Sequence, residues 1–436
     1  MDNKKITRRE FVKTIIGSGI LIAGGSILNG CGENSTNPAE SKEDNKVADL
    51  EIDYLRQVIT ENPTKSRCIM WQSDDTMINP SFELRLNNST EIKTFTVENS
   101  SFTDDDHENY QYTAKVDGFN INENCEYRIV NGDRCTKWHE LKISDGKNFK
   151  MLIFPDSQSA DYSYWSQLAK SAYERNQDAE LFVNVGDIVD NGKDRYQWKS
   201  WMNGVYNLLE AMPFIPVMGN HECYNRQWKT RLPEAYLKYF DVPSNGSEKF
   251  EHCYYSFDYG DVHFAILDSQ WDELDDVEAG AGRNLITEQQ EWLRRDMSST
   301  DRKWKIVFIH KDVLQYRIGG RPERREGFSD IGTEFMPLFD ELKIDIVFTA
   351  HLHTYRDRGH IYNFEHNPQG PLYILTGVAG DVRYPGLWID HALDEVIAPQ
   401  PETDNYLTME VGDNQIDVHC FLPDGKEIDH AVITQK

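Results

Sequence analysis

Leu181-Phe182-Val183-Asn184-Val185-Gly186-Asp187-Ile188-Val189-Asp190 runs from apolar residues straight into a turn that carries two carboxylates. A short apolar run bounded by glycine reads as a buried strand, and the glycine permits a backbone turn that other residues resist. The same design recurs on both sides. Lys150 to Phe154 leads into Asp156-Ser157-Gln158, Phe214 to Met218 into Gly219-Asn220-His221-Glu222, Lys305 to Ile309 into His310, and Ile344 to Phe348 into His351-Leu352-His353. Val262 to Leu267 and Leu372 to Thr376 are further candidate strands, and Tyr164 to Asn176, Trp198 to Ala211, Thr287 to Ser298 and Thr333 to Leu342 carry helix-like patterns between them. Strands alternating with helices predict an α/β unit, in which strand ends on one edge of the sheet converge. Asp156, Gln158, Asp187, Asn220, His310, His351 and His353 would then meet around one point. Carboxylates, amides and imidazoles together are donors for divalent cations.

The chain before this unit has another texture. From Leu50 to about Ser144, short β-type runs such as Cys68-Ile69-Met70-Trp71 and Phe82-Glu83-Leu84-Arg85-Leu86 are broken by turn residues, with Asn131-Gly132-Asp133 as a hairpin signal. Roughly seven such strands predict a β-sandwich, with Trp71 as an aromatic plug between its sheets. The acidic stretch Thr103 to Glu108 reads as a solvated turn. Residues 1–31 read as an address: Thr7-Arg8-Arg9-Glu10-Phe11-Val12-Lys13 resembles a twin-arginine export signal, and Ile15 to Leu28 is interrupted by four glycines, a poor spanning helix. Leu28-Asn29-Gly30-Cys31 resembles a bacterial lipobox, which makes Cys31 the expected lipidation site and predicts export to the bacterial cell envelope with a lipid anchor on its extracytoplasmic side. Residues 32–49 are polar and fit a tether.

The 436 residues carry a formal net charge of −27. Nucleic acid binding needs a basic face to displace counterions, so a polynucleotide partner is disfavoured. Phosphate chemistry on such a surface requires bound cations that reverse the local sign.

The ordered clusters resemble those of the calcineurin-like metallophosphoesterase superfamily, from about Phe149 to the region of Gly380. The preceding sandwich, with Tyr254-Tyr255-Ser256-Phe257-Asp258 and Gly370-Pro371-Leu372-Tyr373-Ile374-Leu375-Thr376-Gly377, resembles the purple acid phosphatase branch and its fibronectin type III-like N-terminal domain. The resemblance implies a two-sheet metallophosphoesterase sandwich flanked by helices over residues 147–436, preceded by an all-β fibronectin type III-like domain over residues 50–146. It implies two divalent metal ions: Asp187 bridging both, Asn220, His310 and His351 completing metal two, and Asp156 and His353 holding metal one. Such a pair holds a bridging hydroxide for in-line attack on phosphorus in a small phosphate-containing substrate. His221 becomes the candidate general acid, with Asp190 to orient and charge its imidazole.

Two departures bear on the metals. The tyrosine that gives purple enzymes their ferric colour is replaced by Asp190, so no purple iron site is expected. Gln158 stands where many relatives place a histidine, and its amide oxygen is the candidate seventh ligand. Metal one is thereby poorer in nitrogen, favouring Mn or Fe(II) over Zn. Ala350 replaces the glycine usual before the paired histidines. The expected activity is hydrolysis of phosphate monoesters or diesters, with a nucleotide pyrophosphatase of the Asp-x-Gln type or a noncatalytic surface-binding lipoprotein as the alternatives. Trp271, His360, His391 and the basic loop Tyr316 to Phe328 are open between substrate contact and packing, and His263 reads as core. The cysteines after Cys31 permit disulfides, with Cys223 and Cys253 the best single pair. Oligomeric state is not legible.

Overall fold

A computed structural model describes residues 46–435 apart from 88, 105, 106 and 121–123. The export signal, Cys31 and most of the polar tether lie outside the described residues. No helix among the described residues is long and apolar enough to cross a membrane.

Two large sheets dominate. The first has ten strands in the order Glu427–Thr434, Gln415–Phe421, Tyr406–Val411, Phe149–Phe154, Ala179–Asn184, Phe214–Pro216, Asp53–Val58, Ser66–Ser73, His107–Asp117 and Glu98–Asp104. The second has eight, centred on Val262–Leu267, Trp304–Ile309, Ile346–Thr349 and Leu372–Thr376, which pair in parallel. Their strands are nearly continuous in Val, Ile, Leu and Phe because both faces are covered. One apolar core joins the sheets. Phe149 of the first sheet meets Tyr259 edge-on at 4.8 Å, and the Tyr236 and Tyr255 hydroxyls both donate to the Pro216 carbonyl between the layers.

The helices Ser163–Arg175, Ala281–Ser299 and Asp330–Leu342 fall close to the expected segments, the second beginning earlier than its pattern indicates. The expected Trp198–Ala211 helix is two, Arg195–Gly204 and Tyr206–Ala211. Gly204 marks the break, where a Cβ would press within 3.2 Å of the Trp165 ring. Tyr406–Val411, Gln415–Phe421 and Glu427–Thr434 carry no sequence expectation above; Tyr406–Val411 pairs antiparallel with Phe149–Phe154 and extends the sheet to one edge.

At the other end, Lys93–Thr96, Pro80–Leu86, Asn124–Asn131, Arg134–Cys135 and His139–Lys142 form a separate five-stranded sheet. Together with Asp53–Val58, Ser66–Ser73 and His107–Asp117 it encloses a second core, in which fully buried Trp71 stacks on Tyr112 at 5.8 Å. The sandwich is not hydrogen-bonded apart from the rest. Asp53–Val58 pairs in parallel with Phe214–Pro216 at Val58 and Phe214, so one sheet of the sandwich continues into the rest of the ten-stranded sheet. The expected Cys223–Cys253 bridge is not formed: both residues are buried thiols, and Cys253 donates to the Glu251 carbonyl at 3.5 Å.

His263 is core, as its position inside a strand implies. Its ring bonds Asp258 at 2.7 Å and Asp296 at 2.8 Å, tying the strand Tyr255–Tyr259 to the helix Ala281–Ser299. Burial opposes its charge, but the two carboxylates outweigh that and push its pKa up to about 9 from 6.5. A raised value stabilises the fold fully below the unfolded pKa and ceases to do so as pH rises through the folded one. Thermal unfolding should therefore show a stability loss between about pH 6.5 and pH 9 that His263→Gln lacks; an unchanged pH profile in the variant would contradict the assignment.

Candidate metal centre

The expected ligands lie at strand ends on facing edges of the two sheets. Phe149–Phe154 delivers Asp156 and Gln158, Ala179–Asn184 delivers Asp187, Phe214–Pro216 delivers Asn220, Trp304–Ile309 delivers His310, and Ile346–Thr349 delivers His351 and His353. Ser157 and Gln158 donate their backbone N–H groups to the Asp187 carbonyl at 3.1 and 2.9 Å, which locks the first two turns together. Asp187, His351 and His353 all have left-handed backbones, φ 46°, 78° and 53°. Each such position costs about 1–3 kcal/mol, and three of them gather at this one place.

Asp187 is common to two donor groups. Its carboxylate, His310 and His351 offer ligand atoms within 4.8 Å of one another, and so do Asp156, Asp187 and His353. His310 Nδ1 donates to the Val185 carbonyl at 2.8 Å, which leaves Nε2 facing the site, 3.1 Å from Asp187 Oδ2 and 3.3 Å from Asn220 Oδ1. His351 Nδ1 stands 3.3 Å from the same Nε2. His353 Nδ1 is fixed by the Val382 carbonyl at 2.8 Å, so its Nε2 points at Gln158 Nε2, 3.2 Å away, and at Asp156 Oδ1, 3.6 Å away. Anchoring one ring nitrogen on a carbonyl to aim the other is the usual support of a metal-binding histidine.

The charges fit cations. Asp156 is fully buried, and burial pushes its pKa up to about 8. Burial acts on Asp187 in the same direction, but His310, His221 and His351 hold it well below the usual carboxylate range. Burial disfavours the charge of His310, yet Asp187 and then Asp156 push it up to about 9. A proton is held where a cation would relieve both carboxylates. Burial lowers His353 to about 4 and holds His351 well below its ordinary value, so both present neutral imidazoles, the form that binds metal. Gln158 Oε1 is buried without a hydrogen bond, and an orphaned amide oxygen on a side chain that meets His353 fits a hard cation. The residues present therefore suit a two-ion centre.

His221 and Asp190 flank this cage. The His221 N–H donates to Asp187 Oδ1 at 2.9 Å, and His221 Nε2 lies 3.9 Å from Asp187 Oδ2. Its Nδ1 bonds the main-chain carbonyl of Asp190 at 2.7 Å, whereas the Asp190 carboxylate is 3.5 Å away. Asp190 thus orients the imidazole chiefly through its backbone. Burial raises the Asp190 pKa, with His221 acting against it.

Several contributors carry no expectation from sequence. Glu222 is fully buried and accepts from the N–H groups of Ile188 at 2.9 Å, Val189 at 3.2 Å and Gly219 at 2.7 Å, joining the Asp187 and Asn220 turns. Its place beside Asn220 and His221 was the available signal. Gly186 and Gly219 are needed for space: a Cβ would lie 2.3 Å from His310 Nδ1 in one case and 2.2 Å from Asp187 Oδ1 in the other. An aromatic rim also surrounds the centre. Tyr224 and exposed Trp228 stand edge-on to His221 at 5.6 and 5.7 Å, and Tyr384 packs on His353 at 4.9 Å. The remaining candidates lie elsewhere. Trp271 is buried and stacks on Phe335, His360 bonds the Gly370 carbonyl, and His391 bonds that of Gly327. In the basic loop, Arg317 pairs with Glu326 and Arg324 covers Trp388.

The Asp187 carboxylate, common to two donor groups at the facing ends of two sheets, is placed as a two-ion centre would require. Residues 149–355 match the calcineurin-like phosphoesterase family, and the chain carries that domain. Purple acid phosphatase 15 of Arabidopsis thaliana is 30% identical over 210 residues, 48% of this chain and 36% of that protein. Purple acid phosphatase 22 of the same plant is 27% identical over 261 residues, 54% of each chain. This chain thus spans about a third to a half of the length of these curated relatives. Among solved structures, the purple acid phosphatase PPD1 of yellow lupin (Lupinus luteus) superposes with a TM-score of 0.71 at 17% identity, covering 88% of this chain and 74% of that one. The structure of PhoD superposes at 0.60 with 12% identity, covering 88% and 90%. The fold is that of the purple acid phosphatases.

Gly219→Ala should displace the Asp187 carboxylate, because the added methyl overlaps its oxygen. Metal analysis of the purified variant should find bound divalent metal reduced by about half or more; full loading would show that the turn yields without moving Asp187.

Proposed function

We propose that the chain is a metal-dependent phosphoric ester hydrolase, and the observation that carries this is the placement of His221 against the Asp187 carboxylate that both donor groups share. Asp156, Gln158, Asp187 and His353 would hold one ion, and Asp187, Asn220, His310 and His351 the other, with Mn or Fe(II) favoured. Such a pair supplies Lewis acidity toward a phosphoryl group and an activated water at neutral pH. What the chain's own residues do follows from their geometry. Asp187 keeps its charge between the two donor groups, and its Oδ1 fixes the backbone of His221. The Asp190 carbonyl takes the Nδ1 proton, so Nε2 is the nitrogen turned toward the centre. Protonated at Nε2, His221 donates to the departing oxygen of the ester as the bond to phosphorus breaks. Trp228 and Tyr224 stand beside that ring and restrict water around the leaving group.

General-acid assistance matters most for a poor leaving group. In metal-loaded protein, His221→Gln should lower kcat by about 10²–10⁴ on alkyl phosphates and much less on a nitrophenyl ester, with metal content unchanged. Asp190→Asn keeps the carbonyl and should cost far less. Equal losses on both substrates would remove His221 from the role, and an absence of both metal and turnover on monoesters, diesters and nucleotide pyrophosphates would favour a noncatalytic surface protein.

We further propose an address that places this chemistry on the extracytoplasmic side of a bacterial envelope, supported by the twin-arginine-like and lipobox-like stretches ending at Cys31. Cys31→Ser should move the chain from the membrane fraction to the soluble one on cell fractionation; unaltered partitioning would reject the lipid anchor.

A further inference from the structure

The last hairpin carries a second cluster of metal-type donors, separate from every residue of the cage. Gln415–Phe421 pairs antiparallel with Glu427–Thr434, and the register sets His419 directly opposite His430. Side chains alternate along a strand, so Asp417 shares the face of His419. That face is the outer one: Ile416, Val418 and Cys420 point into the core while Asp417 and His419 are partly exposed. The two imidazoles stack with centroids 4.0 Å apart and planes 10° from parallel. His430 Nε2 bonds Asp417 Oδ1 at 2.9 Å, and His419 Nδ1 bonds Glu427 Oε2 at 3.1 Å. One ligand atom each from Asp417, His419 and His430 lies within 4.8 Å of the others.

An edge hairpin needs only scattered charge to stay soluble, and lysines would supply it. Here each imidazole instead has one nitrogen on a carboxylate, while His419 Nε2 and His430 Nδ1 make no hydrogen bond to the described residues. A carboxylate that aims a histidine is the recurrent support of a ligating imidazole. Two nitrogens with one or two carboxylate oxygens suit zinc-class ions and are poor for Mg²⁺ or Ca²⁺, which take oxygen-only shells.

We propose that Asp417, His419 and His430 form a second, surface metal site for a borderline divalent cation of the zinc class, with Glu427 orienting His419. The site bridges the two last strands. Since Glu427–Thr434 is the edge of the ten-stranded sheet, a bound ion clips the terminal strand to its neighbour.

The test uses the full chain, stripped of metal and re-equilibrated with zinc, as wild type, as Asp187→Asn to weaken the cage, and with His419→Gln plus His430→Gln in each background. Near-isosteric glutamines keep the hairpin, which circular dichroism checks. Removing both histidines should lower bound zinc by one per chain in both backgrounds and abolish the zinc-dependent rise in unfolding temperature that remains in Asp187→Asn. Asp417→Asn should weaken that zinc binding by about 10- to 100-fold. Phosphate ester turnover in the histidine variant of the wild-type background should be unchanged. Equal zinc stoichiometry with and without the histidines would overturn the proposal, as would a thermal response that survives their removal. Neither readout depends on the cage being catalytic.

Discussion

The Asp187 carboxylate is the constraint around which the rest is arranged. It is buried, held ionised by the imidazoles about it, and common to both donor groups. A charge in such a place is tolerable only when every neighbour is fixed. Gly219 leaves the volume it occupies, Gly186 leaves that of the adjoining His310 ring, its own left-handed backbone turns it inward, and Glu222 ties its loop to that of Asn220. The two sheets then have a reason to be in register at their ends, because ligands from both must reach one carboxylate.

Polarity follows from that arrangement. A chain with a net charge of −27 builds, at one point, a set of imidazoles and amides around two carboxylates of opposed tendency. Burial pushes the Asp156 carboxyl up, the surrounding imidazoles hold Asp187 down, and the two carboxylates push His310 up. Divalent ions would satisfy all three at once, and the same ions would give an acidic surface a local attraction for phosphate.

The gathering of these side chains was legible from sequence because each follows an apolar run with strand character, and parallel strands place such ends together. The aim of each ring was not. His310 and His353 depend on the carbonyls of Val185 and Val382, which any residue type could supply. Asp190 shows the same limit: its type suggested a carboxylate partner for His221, whereas its main chain makes the shorter contact. Glu222 was in view within Gly219-Asn220-His221-Glu222, but its three backbone partners come from turns that sequence does not bring together. In the fold, the alternating runs after Tyr406 gave a weak signal beside the continuous apolar strands of the centre. The sandwich was legible from its turns and Trp71; its continuity with the ten-stranded sheet was not, since that rests on a parallel contact as short as Val58 with Phe214.

That short parallel contact has a mechanical meaning. The strand Asp53–Val58 is the first long strand after the N-terminal stretch and lies directly beside Phe214–Pro216, the strand that runs into the Asn220 turn. Tension drawn along the chain from its N-terminal side would meet first the bonds of Val47 and Leu50 to Asp133 and Cys135, and beyond them would load the sheet as shear between these neighbours, beside the Asn220 turn. The antiparallel partner Ser66–Ser73 shares that load on the other side through Arg56, Gln57 and Val58. In such a molecule the N-terminal stretch and the Asn220 turn belong to one continuous load path.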